Sequence, residues 1–366
     1  MKQKKLIIFF PSIERGGVEK NLFIVSNFLL KKIENVSIIT STPREINNKK
    51  INIITNRINI HNKSRVIKNL FCSYLLIKEI LSNKNLIIMS FQSNAYATLI
   101  SFFFGIKIIC RANASPKGWL NNPFKRFIYK MIMELSSKII VNSREMQLEF
   151  KRDLNLKSFL IYNPLDKKNI IANSRKKSKI NFYNKKKHLK IINIGRFTDQ
   201  KDQITLLKAL VLLKDKLKFQ LILLGQGSKK KELKNFIENN DLNKNVRIID
   251  YIKNPYPILK KSDLLILTSK YEGLPNVLLE AITLKKLVIS SDCPTGPKEI
   301  LQNGKGGILF KTGNYFDLYK KILDLKQKNK SNKKKVLFAY NSLKKFDINF
   351  NLRKYLKFYH TLNKIN

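Results

Sequence analysis

Short apolar runs alternate with longer amphipathic segments along most of this 366-residue chain. The runs have the length of buried β-strands, and the segments between them are long enough for helices. This alternation is typical of parallel sheets whose strands are joined by crossover helices. It predicts helices at 19–31 and 123–135. The predicted strands are 6–10, 36–40, 86–90, 107–111, 139–142, 190–194, 219–224, 246–249, 264–268 and 287–290.

The series is interrupted once, which predicts two doubly wound domains. Residues 167–187 contain nine Lys or Arg and no acidic residue, with Asn and Ser between them, as in a solvated linker. A second strand–helix series follows. The tail carries aromatic and apolar residues at helical spacing, which predicts a final amphipathic helix. The predicted parts are a first domain 1–165, a basic linker 166–188, a second domain 189–345 and a C-terminal helix 346–366.

The charge is strongly basic, with 72 Lys and Arg against 25 Asp and Glu, a net charge of +47. Such a chain suits a polyanionic partner such as an anionic membrane or a nucleic acid. The abundance of Lys, Asn and Ile, whose codons are AT-rich, offers a genomic explanation instead. Cys72, Cys110 and Cys293 lie far apart and form no CxxC pair, so neither a disulfide scaffold nor a structural zinc site is indicated.

The two most apolar stretches do not have the pattern of membrane segments. The first run is broken by Pro11 before a signal-peptide core is complete, so we interpret it as a strand. The stretch 96–110 is interrupted by Lys107 and is shorter than a spanning helix requires. We therefore expect no transmembrane anchor and a cytoplasmic location.

Unusual polar residues follow the predicted strand 190–194. Ligands of open α/β sheets bind beyond the carboxyl ends of the strands, where Arg196 and Lys201 would lie. A guanidinium can bind two phosphate oxygens at once and an ammonium adds a mobile charge, so the pair suits a diphosphate. The alternative is that Arg196 is an ordinary ion-pair partner.

A second such loop follows the predicted strand 264–268. Gly273 allows close approach of the backbone to a ligand, and Pro275 favours the first turn of a helix whose N-terminus can bind an anion. Glu272 in the loop and Glu280 in the helix could line one cleft and accept hydrogen bonds from sugar hydroxyls. The alternative is that Glu272 caps the helix and Glu280 pairs with a lysine.

Together these motifs resemble glycosyltransferase family 4 in order and spacing. The resemblance covers residues 190–310 and extends to a Gly-Gly-x-Glu-Lys loop at residues 16–20. It implies the GT-B fold, in which two Rossmann-like domains face a central cleft and a C-terminal helix crosses back to the N-terminal domain. The segments that carry it are Gly195-Arg196…Lys201, Gly225-Gln226-Gly227, Glu272-Gly273-Leu274-Pro275-Asn276…Glu280-Ala281 and Asp292-Cys293-Pro294-Thr295-Gly296-Pro297-Lys298-Glu299-Ile300.

The resemblance implies a nucleotide-sugar donor in the second domain and an acceptor in the first. Arg196 and Lys201 would neutralise the donor diphosphate, Glu280 would bind the ribose and Glu272 would contact the transferred sugar. The backbone of four residues would hold sugar and phosphate. These four are Gly273, Leu274, Pro275 and Asn276.

Gly16 and Gly17 would let the N-terminal loop close over the phosphates or the reacting hydroxyl. The alternative is a tight strand-to-helix turn at these two glycines. Gly225 and Gly227 are predicted to be structural.

One feature agrees with a metal-independent GT-B enzyme, and another departs from a common family pattern. No Asp-x-Asp triplet occurs in the chain, so we expect a metal-independent enzyme that requires no cofactor. Many relatives have a His after the strand that here ends at Arg111, where this chain has Ala112-Asn113-Ala114. We expect Arg111 and Asn113 to form hydrogen bonds on the acceptor side, with a plain loop as the alternative.

The resemblance thus implies a retaining hexosyltransferase of bacterial envelope glycan synthesis. It would move a hexose or N-acetylhexosamine, by default from a UDP-sugar, to a lipid-linked or polysaccharide acceptor. We expect the enzyme to be cytoplasmic or peripheral on the inner face of the plasma membrane. The alternatives are another GT-B enzyme, such as a sugar-phosphate synthase or a phosphorylase, and a basic nucleic-acid-binding protein. The last lacks a recognisable nucleic-acid-binding module, so no nucleic-acid partner is expected.

Overall fold

The chain forms two compact units, which we call unit 1 and unit 2. Unit 1 comprises Met1–Pro164 together with Ile348–Asn366, and unit 2 comprises Leu165–Asp347. The computed structural model describes residues 4–13, 16–43, 51–55, 60, 63–118, 120, 122–178, 180–184, 187–325 and 327–364.

Unit 1 is built on a parallel sheet of seven strands in the order β3–β2–β1–β4–β5–β6–β7. Both faces of its central strands are buried, because Leu6 and Ile8 belong to the core on one side and Ile7 and Phe9 to the core on the other. The strands are β1 (Lys5–Phe9), β2 (Val36–Ile39), β3 (Asn52–Ile54), β4 (Leu86–Ser90), β5 (Lys107–Arg111), β6 (Lys138–Val141) and β7 (Phe159–Leu160).

Crossover helices cover this sheet, as the alternating pattern predicts. They bury apolar stripes at helical spacing, such as Leu22, Val25 and Leu29 of the first helix. The helices are α1 (Gly17–Leu29), α2 (Arg65–Ser82), α3 (Asn94–Phe103), α4 (Pro123–Glu134) and α5 (Arg144–Leu154).

The C-terminal helix of the chain belongs to unit 1. This helix, Ile348–Lys364, buries Leu352, Tyr355, Tyr359 and Leu362 in the core beside α1 and β4. The Tyr359 hydroxyl donates a hydrogen bond to the carbonyl of Lys4 at 2.5 Å. The predicted return of the C-terminal helix to the N-terminal domain is therefore confirmed.

Unit 2 contains a parallel sheet of six strands in the order β10–β9–β8–β11–β12–β13. Its strands are β8 (Leu189–Ile194), β9 (Phe219–Leu224), β10 (Val246–Ile249), β11 (Leu264–Leu267), β12 (Leu287–Ser291) and β13 (Ile308–Phe310). Its helices are α6 (Lys167–Ser174), α7 (Gln203–Leu213), α8 (Lys230–Asn239), α9 (Tyr256–Lys261), α10 (Asn276–Thr283), α11 (Pro297–Ile300), α12 (Tyr315–Leu323) and α13 (Asn329–Asn341). The C-terminal helix of unit 1, Ile348–Lys364, is therefore numbered α14.

The segment 166–188 differs from the predicted solvated linker over its first third. Helix α6 packs against α9 and α10 and buries Ile170. The Asn254 side chain donates a hydrogen bond to the carbonyl of Asn173 at 3.0 Å. The helix is hard to recognise in this lysine-rich segment, because few of its residues are buried.

The three cysteines are core residues. Cys72, Cys110 and Cys293 are free and buried. Burial raises the pKa of the Cys72 and Cys110 thiols to about 12, so both stay protonated and unreactive at neutral pH. Among the described residues, no helix combines the length and apolarity that a membrane span requires.

Candidate active site

The sheet of unit 2 reverses its direction of winding between β8 and β11. These neighbouring strands are parallel, so their carboxyl ends lie at the same edge of the sheet. A ligand site is expected beyond this edge, at the switch point of a doubly wound sheet. The loop after β8 carries Arg196 and Lys201, and the loop after β11 carries Glu272. The topology thus brings together the two loops that the sequence identified separately.

Backbone and side-chain hydrogen bonds fix these two loops to each other. Lys270 N–H donates to the Gln200 carbonyl at 2.8 Å, and the Gln200 amide donates back to the Tyr271 carbonyl at 2.9 Å. The Thr268 hydroxyl donates to the Lys201 carbonyl, also at 2.9 Å. Groups separated by about seventy positions in sequence are therefore held in one geometry, which preorganises the site.

Lys201 and Glu272 form the central ion pair of this junction. Lys201 Nζ lies 2.5 Å from Glu272 Oε1, and the same oxygen accepts a hydrogen bond from the Ser269 hydroxyl at 2.6 Å. Glu272 is only 6% exposed. A short, charge-assisted pair with a second donor fixes the carboxylate and the ammonium in place. The helix-capping alternative for Glu272 is not supported, because its carboxylate contacts Lys201 and Ser269.

Arg196 lies at the exposed side of the same loop. Its backbone carbonyl accepts a hydrogen bond from the Gln203 side chain at 3.0 Å, which anchors the loop on the first turn of α7. The Arg196 side chain is exposed to solvent, whereas Lys201 is mostly buried. Two cations of different accessibility therefore follow one strand, with Arg196 at the surface.

The loop after β12 supports the Gly273–Asn276 segment from the other side. The Thr295 hydroxyl donates to the Glu272 carbonyl at 2.5 Å. Gly296 has a φ of +89°, and a Cβ atom there would lie 2.4 Å from the Gly273 carbonyl oxygen. Only glycine fits this approach, so the backbone around Gly273 and Pro275 packs closely against the loop after β12.

Glu280 lies in α10, which begins directly after Pro275. Its side chain is 7% exposed, and Oε1 lies 3.5 Å from the Tyr256 hydroxyl of α9. Helix α10 starts at the switch point, so its N-terminal N–H groups face the same sheet edge as Arg196. The arrangement offers an oriented carboxylate, two cations and a helix N-terminus in adjoining elements.

Gly225 and Gly227 have structural roles, as predicted. A Cβ atom at Gly225 would lie 1.9 Å from the Gly195 carbonyl oxygen, and one at Gly227 would lie 2.3 Å from the Phe197 carbonyl oxygen. The turn after β9 thus packs backbone against backbone on the loop that carries Arg196.

In unit 1, Gly16 and Gly17 form the start of α1. The Gly16 N–H donates to the Glu19 carboxylate at 2.7 Å, so Glu19 caps the helix from within its own first turn. A Cβ atom at Gly16 would lie 2.9 Å from that carboxylate oxygen. This geometry favours the tight-turn interpretation, and the ligand-closing role of both glycines stays a prediction.

Arg111 occupies a buried network instead of an exposed acceptor surface. It is 1% exposed and donates from Nε to the Tyr355 hydroxyl at 2.7 Å and from one terminal nitrogen to Asn163 Oδ1 at 2.5 Å. The other terminal nitrogen donates to Asn113 Oδ1, and the guanidinium lies 5.3 Å from the centre of the Phe91 ring. Arg111 therefore anchors α14 on the sheet.

These contacts give Arg111 and Asn113 a structural role within unit 1, and their acceptor role stays a prediction. The Asn113 amide nitrogen donates to the Phe91 carbonyl at 2.5 Å, so both ends of its side chain have partners within unit 1. The sequence could not reveal this network, because Tyr355 lies 244 positions from Arg111.

Sequence reasoning also missed a carboxylate beside the same loop. The Ser115 hydroxyl donates to Glu149 Oε2 at 2.7 Å, and burial raises the pKa of this glutamate above its usual range. Glu149 lies on α5, where the surrounding polar residues give no signal of burial. Its carboxylate is buried under Ser115, so the contact fixes the loop.

Comparisons with known proteins agree with this geometry. The family model described as "Glycosyl transferases group 1" matches residues 174–342, which lie within unit 2 and include both loops of the switch point. An uncharacterized glycosyltransferase of Methanocaldococcus jannaschii is 32% identical over 250 residues, which cover 63% of this chain and 61% of that protein. Residues 174–342 are thus similar to the glycosyl transferases group 1 family.

Two further proteins are similar over nearly the whole chain. One is N-acetylgalactosamine-N,N'-diacetylbacillosaminyl-diphospho-undecaprenol 4-alpha-N-acetylgalactosaminyltransferase of Campylobacter jejuni, 25% identical over 94% of this chain and 96% of the relative. The other is the crystal structure of Anabaena HepE in complex with UDP-glucose, with a TM-score of 0.81, 17% identity and coverage of 98% and 100%. The two parallel-sheet units and this likeness confirm the predicted GT-B fold.

Proposed function

We propose that this protein is a retaining glycosyltransferase of family 4. It transfers a hexose or N-acetylhexosamine from a nucleoside-diphosphate sugar, by default a UDP-sugar, to a lipid-linked or polysaccharide acceptor of a bacterial envelope glycan. The observation that carries the proposal is the junction of the loops after β8 and β11, where the Lys201–Glu272 pair lies at the switch point. The C. jejuni relative, named for transfer to a diphospho-undecaprenol glycan, supports the acceptor class.

The donor diphosphate binds at Arg196 and Lys201. The exposed Arg196 guanidinium forms two parallel hydrogen bonds to phosphate oxygens, and Lys201 supplies a charge whose position is fixed by Glu272. Fixed cations stabilise the leaving nucleoside diphosphate in the role that a bound metal fills in other enzymes. The proposal therefore needs neither a metal ion nor another cofactor.

The sugars of the donor bind along the loop after β11 and α10. Glu280 accepts hydrogen bonds from the ribose, Glu272 contacts the transferred sugar, and the backbone from Gly273 to Asn276 holds sugar and phosphate. The close packing of Gly273 against the loop after β12 supports this role, because a rigid backbone orients its N–H groups before the donor arrives.

Transfer occurs on one face of the sugar. The bond between the anomeric carbon and the diphosphate breaks while the acceptor hydroxyl approaches from the same side, and the departing phosphate oxygen takes the hydroxyl proton. The protein contributes positioning and charge stabilisation, with Arg196 and Lys201 bearing the charge of the leaving group. An α-linked donor then gives an α-linked product.

A thermal-shift panel of UDP-, GDP- and ADP-sugars tests the donor site. A ligand at about a hundred times its Kd stabilises the native protein by about 2.7 kcal/mol. We expect the preferred donor to raise the Tm of unit 2 by roughly 5 to 10 °C with EDTA present.

The exposed Lys214 at the far end of α7 provides the control for this panel. Lys214→Ala should retain the full shift and Arg196→Ala should lose most of it. No shift with any sugar nucleotide would contradict the donor site, and a shift with an oligonucleotide alone would favour the nucleic-acid-binding alternative.

A further inference from the structure

Three adjoining helices of unit 1 present apolar side chains to solvent. Helix α3 packs against both α2 and α4, so the three form one continuous surface, which we call the three-helix face. The exposed residues include Phe103, which is 79% exposed, and Phe124, which is 69% exposed. A folded protein normally covers apolar surface of this extent with a partner.

Helix α2 is apolar on two opposite sides. Its core-facing side buries residues such as Cys72, Leu76 and Ile80. On the other side, Ile67, Leu70, Tyr74 and Leu81 recur at helical spacing, and all four are exposed. A surface helix ordinarily carries polar residues at these positions, so the outward stripe needs an explanation other than the core of unit 1.

Helix α4 has the same property and is even less buried. Phe124, Phe127, Ile128, Met131 and Leu135 follow one another at helical spacing and are all exposed. The buried side chain of this helix is Met133. Helix α3 continues the surface, with the exposed rings of Phe102 and Phe103 in edge contact at 5.9 Å.

The charges on these helices have predominantly one sign. The cations are Arg65, Lys68, Lys78, Lys125, Arg126 and Lys130. The two acidic residues of the three helices are each paired, Glu79 with Lys5 at 2.7 Å and Glu134 with Lys130 at 3.6 Å. The face therefore combines apolar side chains with an excess of positive charge.

We propose that the three-helix face docks on an anionic lipid bilayer. Phe and Leu side chains insert at the boundary between headgroups and acyl chains, while Lys and Arg contact the anionic headgroups. A second copy of the chain fits less well, because two such faces would bring cations against cations. The inference names the surface by which the proposed transferase would bind the membrane, and it does not depend on the donor or on the catalytic residues.

Sedimentation with vesicles tests the proposal. We expect the full chain to bind vesicles of phosphatidylglycerol and phosphatidylcholine, to bind pure phosphatidylcholine at least tenfold more weakly, and to be released in part by salt. The apolar variant Phe103→Ser/Phe124→Ser and the charge variant Lys78→Glu/Lys125→Glu should each weaken binding to the anionic vesicles at least tenfold. All four positions are exposed, so the melting curves should match that of the unmodified chain.

Changes of the same kind on unit 2 provide matched controls. Phe316→Ser/Leu337→Ser and Lys214→Glu/Lys244→Glu also alter exposed residues and should bind vesicles normally. The proposal would be overturned by equal binding of all variants, by an absence of binding to anionic vesicles, or by self-association that the apolar variant abolishes. Because the assay contains neither donor nor acceptor, its failure would leave the proposed transferase activity intact.

Discussion

Replacing Arg196 with alanine is expected to reduce kcat/KM for the sugar nucleotide by well over tenfold, with no change in Tm. A charged hydrogen bond is worth roughly 1.5 to 3 kcal/mol, which corresponds to a rate loss of about 10- to 150-fold. The Arg196 side chain is exposed, so its removal leaves no cavity in the core of unit 2. Steady-state kinetics and a melting curve on the same preparation would measure both effects.

Glu280→Ala should lower turnover by a similar factor, because it removes the proposed hydrogen bonds to the ribose of the donor. Because Glu280 is buried beside Tyr256, the isosteric Glu280→Gln separates lost charge from lost packing and should be nearly as inactive. Lys214→Ala serves as the control for both variants, since this lysine lies at the opposite edge of the sheet. Near-normal activity of Arg196→Ala and Glu280→Ala together would remove both residues from the site.

Arg111→Ala is expected to destabilise unit 1 by roughly 2 to 5 kcal/mol, which lowers its Tm by about 5 to 15 °C. The truncation removes the guanidinium donors of the buried Tyr355 hydroxyl, of the buried Asn163 side chain and of the half-buried Asn113 side chain. Calorimetry would measure the change. Arg353→Ala removes an exposed arginine from the same helix α14 and should shift the free energy of unfolding by less than about 0.5 kcal/mol.

This pair of variants also separates two roles for Arg111. If Arg111 is a structural anchor, its truncation lowers the stability of the protein. If Arg111 binds the acceptor, its truncation lowers the activity and leaves the stability unchanged. Full thermal stability of Arg111→Ala together with a raised KM for the acceptor would contradict the structural role and support the predicted acceptor contact.

The sequence predicts the sheets well because their central strands are buried on both faces. The predicted strands 86–90 and 219–224 are mostly apolar runs, and the structure has strands over the same residues. The strands missed are the short edge strands Asn52–Ile54, Phe159–Leu160 and Ile308–Phe310. An edge strand of two or three half-buried residues has no apolar run long enough to distinguish it from a loop.

The candidate site is predictable in its residue types and less so in its contacts. Arg196, Lys201 and Glu272 stand at strand ends, where parallel topology concentrates ligand-binding groups. The 2.5 Å pairing of Lys201 with Glu272 depends on the adjacency of β8 and β11, which periodicity does not specify. Gln200, Ser269 and Thr295 were missed as supporting residues for the same reason, although all three lie within or close to the quoted motifs.

The stereochemistry of transfer in the presence of EDTA tests the central claim most directly. An α-linked sugar nucleotide would be incubated with a panel of polyprenyl-diphosphate-linked and soluble glycans, and the anomeric configuration of the product determined by NMR. The account predicts an α-linked product, formed at the same rate with and without EDTA and more than tenfold more slowly by Arg196→Ala. A β-linked product, or a strict requirement for a divalent metal, would contradict it.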